Sequence, residues 1–533
     1  MPTTPEPPER LGSPDQPDWP EPPRRPDARR RQLLQAGAAW AAGAPLFVRD
    51  ARAGGEPCFT LGVASGHPQP DSVVLWTRLT GLDLPPEVPV AWELAHDEAF
   101  TRIAARGTVA ARPDSAHSVR AEPAGLASDR WYYYRFRALG QQSPAGRTRT
   151  APAPDARTGL RAALASCQRW EHGHYAAWRH AAEQDLDLVL FAGDYIYEYA
   201  APPGSVRPHD LPAARTLAQF RDRYALHRSD PALQAAHAAA PWVLIWDDHE
   251  VENDYANDQG VHDAGAAFLA RRAAAYQAWW EHQPVPSAWR PQGAAMRIHH
   301  RLAWGRLALL HAVDARQYRD HQACPRSLRA AGSATVDAAD CPALADPQRS
   351  LLGMAQERWL AEGWDPQRRW NLLLQTTLMA RASRQPVQGP GTGRYWTDGW
   401  DGYPQARERL LSGAAGRGVE NLVVLGGDVH AHVVADLKLD PDRPDAPVVA
   451  SEFCTTSISS NGVPQRAFER LLALNPHLRH GRSDQRGYIA LELDERRLQA
   501  TLVAVQRADD PLSPCSAQAA FVVEAGRPGP QRA

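Results

Sequence analysis

Residues of the kinds that bind metal ions follow several short apolar runs along this chain. Each run of Val, Leu, Ile or Ala is typical of a buried strand of a parallel or mixed sheet. Open α/β sheets place their sites just beyond the carboxyl ends of such strands, so we expect the residues that follow these runs to meet in one pocket. Thiolate, phenolate, imidazole and carboxylate groups together suit a ferric ion with a second divalent ion. The residues concerned are Cys167, Asp194 with Tyr197, Asp248 with His249, Gln375, and Asp428 with His430.

Three of these strand ends carry carboxylates in a setting that favours metal binding. The Asp194 carboxylate could bridge two cations, and Tyr197, three residues on, could supply a phenolate to a ferric ion. Asp248 and His249 combine a hard ligand with an imidazole that could donate a proton or hold an anion. In an extended segment Asp428 and His430 lie on the same side and can reach one cluster.

Each of these features also has a purely structural interpretation. Asp194 could cap a following helix, Asp248 could cap the segment that follows it, and Tyr197 could be an ordinary buried tyrosine. A cysteine that ends an apolar strand, such as Cys167, is usually only a small buried residue. The occurrence of three carboxylate-bearing strand ends in one chain favours the metal site.

The pattern of elements predicts two folded parts, because 533 residues exceed one ordinary core. Residues 54–155 contain strand-like segments with turns at short intervals, which favours a small all-β domain of immunoglobulin or fibronectin type. In residues 156–508 strands alternate with helices, and the later strands 448–453, 488–493 and 498–505 have an antiparallel character. This predicts a four-layer α/β/β/α sandwich, followed by a Pro-rich C-terminal tail at 509–533.

The amino terminus has the features of an export signal. Residues 1–53 comprise a Pro-rich acidic leader, the sequence Arg29–Leu34 with twin arginines followed by x-Leu-Leu, a short apolar stretch and the small-x-small sequence Ala51-Arg52-Ala53. A stretch this short does not predict a membrane span. We therefore expect the Tat machinery as a partner and a periplasmic or extracellular location; the alternative is a basic, Ala-rich helix.

The charge balance excludes two kinds of binding surface, and the cysteine positions suggest possible disulfides. The formal net charge is -2, which argues against a nucleic-acid-binding surface or a polybasic membrane patch. Among the 6 cysteines, Cys324 and Cys341 could bridge a surface loop, and a bridge between Cys58 and Cys515 is an open alternative. Cys454 follows an apolar strand and is predicted to be a buried thiol.

Longer motifs give the chain a resemblance to the alkaline phosphatase D (PhoD) family. The resemblance spans about residues 59–505 and implies a β-sandwich followed by a metallophosphatase domain. It also implies one ferric ion with one or two calcium ions, and hydrolysis of phosphate monoesters and diesters by attack of a metal-bound water or oxo group. The motifs are Phe59–Gly66, Leu75–Arg78, Ala165–Cys167, Gly193–Glu198, Trp246–Asn253, Arg316–Arg319, Gly426–His430 and Ser457–Ser460.

The resemblance also implies roles for individual residues. The ferric ion would be held by Cys167, Asp194, Tyr197 and His430, with Asp194 bridging, and calcium by Asp248, Asn253 and Asp428. Purple acid phosphatases, which the domain also resembles, have Asn in place of Asp248 and His in place of Asp428. Oxygen donors at these positions favour calcium over zinc or manganese. Gln375 occupies the position of another metal-binding His in those relatives, and its amide oxygen could bind calcium.

For catalysis, Asp194 would fix the spacing of the metals, and His249 would stabilise developing charge or protonate the leaving oxygen. Arg316 and Arg319 are candidate phosphate-binding forks, with structural salt bridges as the alternative. The expected substrate is a phosphate ester of a small molecule or a lipid. Two other functions are a phospholipase D-like phosphodiesterase and a cell-surface binding module without catalysis.

Overall fold

Two large β-sheets and seven α-helices form the framework of the described chain. The computed structural model describes residues 57–325, 332–443 and 445–533, so the predicted leader and Tat signal at 1–53 lie outside the described residues. The strands are β1 (Val63–Gly66), β2 (Val74–Arg78), β3 (Val88–Ala95), β4 (Ile103–Ala111), β5 (Ser118–Ala121), β6 (Trp131–Ala138), β7 (Gln141–Gln142), β8 (Gly146–Arg149), β9 (Leu160–Ala165), β10 (Leu188–Ala192), β11 (Trp242–Ile245), β12 (His300–Trp304), β13 (Ala308–Ala312), β14 (Thr335–Asp337), β15 (Trp370–Leu374), β16 (Arg394–Trp396), β17 (Leu422–Gly426), β18 (His432–Lys438), β19 (Val448–Cys454), β20 (Leu478–Arg482), β21 (Arg486–Leu493), β22 (Arg497–Val505), β23 (Cys515–Glu524) and β24 (Arg527–Arg532). The α-helices are α1 (Ala176–Ala182), α2 (Leu217–Arg228), α3 (Pro231–Ala239), α4 (Gly265–His282), α5 (Met354–Gly363), α6 (Pro404–Gly416) and α7 (Gln465–Leu474).

The first sheet has ten strands in the order β24-β23-β22-β21-β9-β10-β11-β1-β2-β5. Its central strands β9, β10 and β11 run parallel to one another. Every residue of β10 and of β11 is buried, because other layers cover both faces of this part of the sheet. This explains why their sequences are continuous apolar runs and not alternating ones.

The second sheet has seven strands in the order β12-β13-β15-β17-β19-β18-β20. Strands β13, β15, β17 and β19 are parallel. The prediction that 448–453 is antiparallel is therefore correct only for one neighbour: β19 pairs antiparallel with β18 but parallel with β17. A buried strand has the same composition in either pairing, so sequence does not distinguish the two.

The predicted four-layer α/β/β/α arrangement is confirmed. Leu164 and Leu190 of the first sheet and Leu310 and Leu372 of the second belong to one buried apolar core between the sheets. Helices α1 and α4 contribute to that same core, whereas α5, α6 and α7 pack with the other face of the second sheet in a separate core. In the described part of the chain, no helix is both long and apolar enough to cross a bilayer.

The predicted N-terminal β region is also present, and one of its sheets is shared with the catalytic part. Strands β3, β4, β6, β7 and β8 form a separate five-stranded sheet. Val90, Leu94 and Phe136 of this sheet pack against Val63 and Leu75 in a common core. The latter two lie in β1 and β2, which with β5 extend the ten-stranded sheet through the pairing of β1 with β11.

The segment 509–533, predicted as a tail, contains two strands of the first sheet. Strand β23 pairs antiparallel with β22, and β24 pairs with β23. Ala519, Phe521 and Val523 of β23 are buried, at a spacing of two residues. This alternation is the sequence signal for a half-buried strand, and the prolines on either side obscured it.

The cysteines separate into one disulfide and four free thiols. Cys324 and Cys341 are joined, with their Cα atoms 6.0 Å apart, as the sequence suggested. Cys58 and Cys515 are both free, so the alternative bridge between them is not formed. Cys454 is a buried free thiol, as predicted.

A close approach at the end of β17 requires a residue without a side chain. A Cβ atom on Gly426 would lie 2.2 Å from the Thr377 carbonyl oxygen. We expect Gly426→Ala to lower the free energy of unfolding by about 1–3 kcal/mol, because the backbone beside the strand must shift. The matched control is Gly413→Ala in helix α6, where an added Cβ meets nothing within 4 Å. That control should leave stability unchanged or raise it by up to about 1 kcal/mol. Equal thermal unfolding midpoints for the Gly426 variant and the wild type would contradict this expectation.

Candidate metal centre

The structure brings together most of the ligands predicted from sequence. One ligand atom each from Cys167, Asp194 and His430 lies within 4.8 Å of the other two. A second group, Asp194, Asp248 and His249, meets the same criterion. Asp194 belongs to both groups, so its carboxylate lies between two sets of donors. This is the position that a bridging ligand would occupy.

The ligands are presented by sharply turned backbone just beyond the strands. Cys167, Asp194, Asp428 and His430 all have positive φ, between 51° and 63°. Residues other than glycine adopt this left-handed region rarely, and each costs roughly 1–2 kcal/mol. Gly193 (φ 97°) allows the turn after β10, since a Cβ there would lie 2.6 Å from that of Asp247. Such strain concentrated on one set of residues is typical of functional sites.

Tyr197 links the first group of donors through its hydroxyl. The Tyr197 hydroxyl donates to Asp194 Oδ2 at 2.9 Å, and the hydroxyl oxygen lies 3.2 Å from His430 Nε2. Ser460 Oγ lies 2.8 Å from the Tyr197 hydroxyl oxygen and 2.9 Å from the Cys167 carbonyl oxygen. The phenol oxygen is therefore held beside the carboxylate and the imidazole, where a phenolate ligand is needed.

The imidazole of His430 is oriented by a backbone carbonyl. Its Nδ1–H donates to the Asn461 carbonyl oxygen at 2.6 Å, which leaves the Nε2 lone pair for the cluster. Burial, and Arg486 nearby, lower the pKa of His430 to about 3. The ring is thus neutral, as a metal ligand must be.

His249 forms a buried pair with Glu198. Its Nδ1 lies 2.8 Å from Glu198 Oε2, and the other oxygen of Glu198 accepts the backbone N–H of Asn253 at 2.8 Å. Burial opposes charge on the imidazole, but Glu198, Asp248 and Asp194 outweigh it and hold the pKa of His249 well above its ordinary value. The pair can therefore supply a proton beside the donors.

Asp428 lies at the end of β17 and is held by a threonine from the neighbouring strand end. Thr377 Oγ1 donates to Asp428 Oδ2 at 2.6 Å. Burial and the nearby Asp247 and Asp248 raise the pKa of Asp428 well above its ordinary value. Its charged form therefore calls for a compensating cation.

Gln375 does not serve the predicted role. Its amide oxygen accepts the backbone N–H of Thr377 at 3.0 Å and the indole N–H of Trp400 at 3.0 Å. Its amide nitrogen donates to the Thr377 carbonyl oxygen. Both lone pairs of the oxygen are used, so Gln375 shapes the turn that carries Thr377 instead of binding calcium.

Arg316, predicted to bind phosphate, instead forms ion pairs with buried carboxylates of the protein. It is 1% exposed, donates to Asp247 through Nε, and reaches Asp398 Oδ2 at 2.8 Å and Asp248 Oδ1 at 3.7 Å. Arg319, equally buried, is paired with Asp398 at 3.3 Å and with the Tyr403 hydroxyl at 3.2 Å. We therefore assign to both arginines the alternative role of buried salt bridges that support the carboxylates.

Glu250 and Ser460 support the donor residues, although nothing in the sequence indicated this role. Glu250 accepts the backbone N–H groups of Asp194 at 3.1 Å, Tyr195 at 2.7 Å and Asp247 at 2.9 Å. It thereby ties the ends of β10 and β11 together. Ser460 acts similarly between Cys167 and Tyr197. These contacts join distant segments, so no local pattern in the sequence announces them.

The donor set fits a bound cation. Asp194 Oδ1 is buried and has no hydrogen-bond partner among the described residues. Burial and the neighbouring acids, chiefly Asp248 and Asp247, raise the pKa of Asp194 although His249 opposes them. Burial, then Asp194 and Asp428, likewise raise the pKa of the Cys167 thiol. A cation between these groups would satisfy the unpaired oxygen and favour the charged forms that bind metal.

The chain has a metallophosphatase-like fold, and its donor groups lie at the strand ends of that fold. The structure of the purple acid phosphatase PPD1 from yellow lupin seeds matches with a TM-score of 0.53 at 11% identity, over 87% of this chain and 74% of that one. At this identity the match shows the shared fold alone. The metallophosphatase class implies bound metal ions at the strand ends, where Asp194 and its neighbours lie.

The chain belongs to the PhoD-like phosphatase family. Residues 162–502 match the PhoD-like phosphatase domain, and residues 43–152 match the N-terminal domain of PhoD-like phosphatases. Alkaline phosphatase D of Bacillus subtilis (strain 168) is 40% identical over 494 residues, which cover 88% of this chain and 82% of that protein. A solved structure of PhoD matches with a TM-score of 0.84 at 39% identity, over 89% of this chain and 92% of that one. The protein is a phosphoric ester hydrolase.

We expect Asp194→Asn to remove metal and activity together, because a neutral amide cannot bridge two cations as a carboxylate does. Metal content, measured by mass spectrometry, should fall well below that of the wild type, and phosphate ester hydrolysis by at least about 100-fold. The matched control is Asp185→Asn, whose carboxylate is 59% exposed and pairs with surface arginines. A variant of Asp194 with full iron content and full turnover would show that the site is wrongly assigned.

Proposed function

We propose that this protein hydrolyses phosphate monoesters and diesters with one ferric ion and one or two calcium ions. The carrying observation is the position of Asp194, which lies in one group of donors with Cys167 and His430 and within 4.8 Å of Asp248, a donor of the second group. Its unpaired, buried Oδ1 is available to a second cation while Oδ2 faces the Tyr197 hydroxyl. Family membership supports the reaction, and the two donor groups support two kinds of ion.

The chemistry of the two groups differs in a way that favours different metals. Cys167, Tyr197 and His430 offer a thiolate, a phenolate and a neutral imidazole, which with Asp194 suit a strongly Lewis-acidic ferric ion. Asp248, Asp428 and the side chain of Asn253 offer oxygen atoms, which calcium prefers. The backbone N–H of Asn253 donates to Glu198, which also binds His249, the residue after Asp248. When bound, the ions would neutralise phosphoryl oxygens and lower the pKa of water.

The residues of the chain itself have distinct roles in this proposal. Asp194 fixes the spacing of the cations, and Arg316 stabilises Asp248 by a charge interaction at 3.7 Å. The imidazolium of His249, kept charged by Glu198 at 2.8 Å, protonates the leaving oxygen or stabilises its developing charge. Its ring lies 4.1 Å from the Tyr197 ring, so it is close to the donors that face the phosphate.

The substrate in this proposal is a phosphate ester of a small molecule or a lipid, and the enzyme acts in the periplasm or outside the cell after Tat export. The Cys324–Cys341 disulfide supports an oxidising location. The twin arginines Arg30 and Arg31, which are followed by Gln32-Leu33-Leu34, support the route.

Replacement of His249 by Asn should distinguish its two proposed actions. A general acid matters most when the leaving group is basic, because p-nitrophenolate departs without a proton whereas an alkoxide does not. We expect kcat for an alkyl phosphate to fall by about 100–1,000-fold and kcat for p-nitrophenyl phosphate to fall much less.

The control for this experiment is His117→Asn, in the N-terminal β region, where the ring forms a hydrogen bond with the Pro85 carbonyl oxygen. This variant should keep wild-type rates on both substrates. Equal losses on both substrates in the His249 variant would instead assign charge stabilisation to His249, and no loss on either would remove it from the mechanism.

A further inference from the structure

At the rim of the donor cluster, Arg169 has terminal nitrogens that make no hydrogen bond to any of the described residues. Arg169 follows β9, two residues beyond Cys167. Its guanidinium carbon lies 5.5 Å from the centre of the Tyr197 ring and 4.9 Å from that of Tyr199. The His249 ring contacts the same two tyrosines, at 4.1 and 5.3 Å between centroids. Arg169 and the proposed acid His249 therefore lie near the same two tyrosine rings, one of which belongs to the proposed iron ligand Tyr197.

The backbone of Arg169 is firmly held while its side chain remains partly open. Ser459 Oγ donates to the Arg169 carbonyl oxygen at 2.7 Å, and the Arg169 N–H donates to Ser460 Oγ at 3.1 Å. The side chain is 15% exposed, against 2% for Arg316. A ligand at the donor cluster could thus reach Arg169, whereas Arg316 is shielded by protein.

The charge of Arg169 is only weakly compensated. Its Nε lies 3.4 Å from Glu171 Oε2, and its two terminal nitrogens make no hydrogen bond within the described ranges. Glu171 is shared with His209 at 2.8 Å and with the buried Arg223 at 3.5 Å. One carboxylate therefore serves two guanidiniums, which leaves positive charge available at the rim.

We propose that Arg169 is a substrate-binding residue that contacts the non-bridging oxygens of the phosphate and favours monoesters over diesters; this rests on the proposed function. A monoester above pH 7 carries nearly two negative charges and three terminal oxygens, whereas a diester carries one charge and two such oxygens. The guanidinium of an arginine therefore binds the phosphate of a monoester more strongly than that of a diester.

The test compares Arg169→Gln and Arg169→Lys with the wild-type enzyme loaded with its metals. For p-nitrophenyl phosphate at pH 8.5 or so, we expect Arg169→Gln to lower kcat/KM by about 10–100-fold, the loss typical of a charge-assisted hydrogen bond. For bis(p-nitrophenyl) phosphate the loss should be several-fold smaller. Calorimetric titration with inorganic phosphate should show a comparable loss of affinity at unchanged metal content. Arg169→Lys keeps the charge without the planar fork, so its losses should be intermediate.

The matched control is Arg147→Gln, which also removes an arginine stacked on an aromatic ring and paired with an acid. Its guanidinium carbon lies 3.5 Å from the centre of the Trp131 ring, and it pairs with Asp185 at 3.2 Å. This control should keep both activities and phosphate affinity.

Equal losses on the two esters with unchanged phosphate affinity would overturn the proposal and leave Arg169 a structural role. If Arg169→Gln does not accumulate as folded protein, the same comparison on Arg169→Lys decides the question. A wild-type enzyme that hydrolyses neither ester would contradict the proposed function, and the phosphate titration would still decide whether Arg169 binds the anion.

Discussion

Buried negative charge at the strand ends is the constraint on which the rest of this structure depends. The protein supplies its own cations to some of the carboxylates, since Arg316 contacts Asp247, Asp248 and Asp398. Asp194 and Asp428, in contrast, take part in none of the salt bridges among the described residues, although Asp194 is fully buried and Asp428 is at least half-buried. Leaving ionised carboxylates buried and unpaired is costly, so they must either bind protons or bind cations. The division between paired and unpaired carboxylates marks where metal ions belong and where a structural arginine suffices.

The backbone conformation of the residues that present these groups is also energetically unfavourable. Cys167, Asp194, Asp428 and His430 all have left-handed backbone conformations just beyond strands of the two facing sheets. Surrounding contacts hold these turns in place: Glu250 binds three N–H groups at the ends of β10 and β11, and Ser460 joins Cys167 to Tyr197. The extension of the ten-stranded sheet by β1 at one side and by β23 and β24 at the other enlarges the scaffold that supports them. Protein contacts thus hold the backbone that presents the donors, as preorganised electrostatic catalysis requires.

Sequence alone predicted most of the elements and several of the residues that meet at the strand ends. The run Leu188–Ala192 ends next to Gly193 and Asp194, and this local pattern predicts both a buried strand and a turned carboxylate. It could not predict what depends on distant partners. The role of Arg316 is set by Asp398, 82 residues later in the chain. Gln375 resembles a ligand in its position, but Trp400 uses its oxygen. Whether β19 is parallel or antiparallel depends on which neighbours it pairs with. The position of Arg169 beside the donor cluster follows from its contacts with the rings of Tyr197 and Tyr199, which the sequence does not show.

The most direct measurement is X-ray absorption at the iron edge on protein purified from its native host, compared with a Cys167→Ser variant. Ligation of a ferric ion by Cys167, Asp194, Tyr197 and His430 predicts one sulfur among nitrogen and oxygen neighbours, and loss of that sulfur in the variant. Wild-type protein that contains no iron, or iron without a sulfur neighbour, would contradict the shared cation cluster at these strand ends.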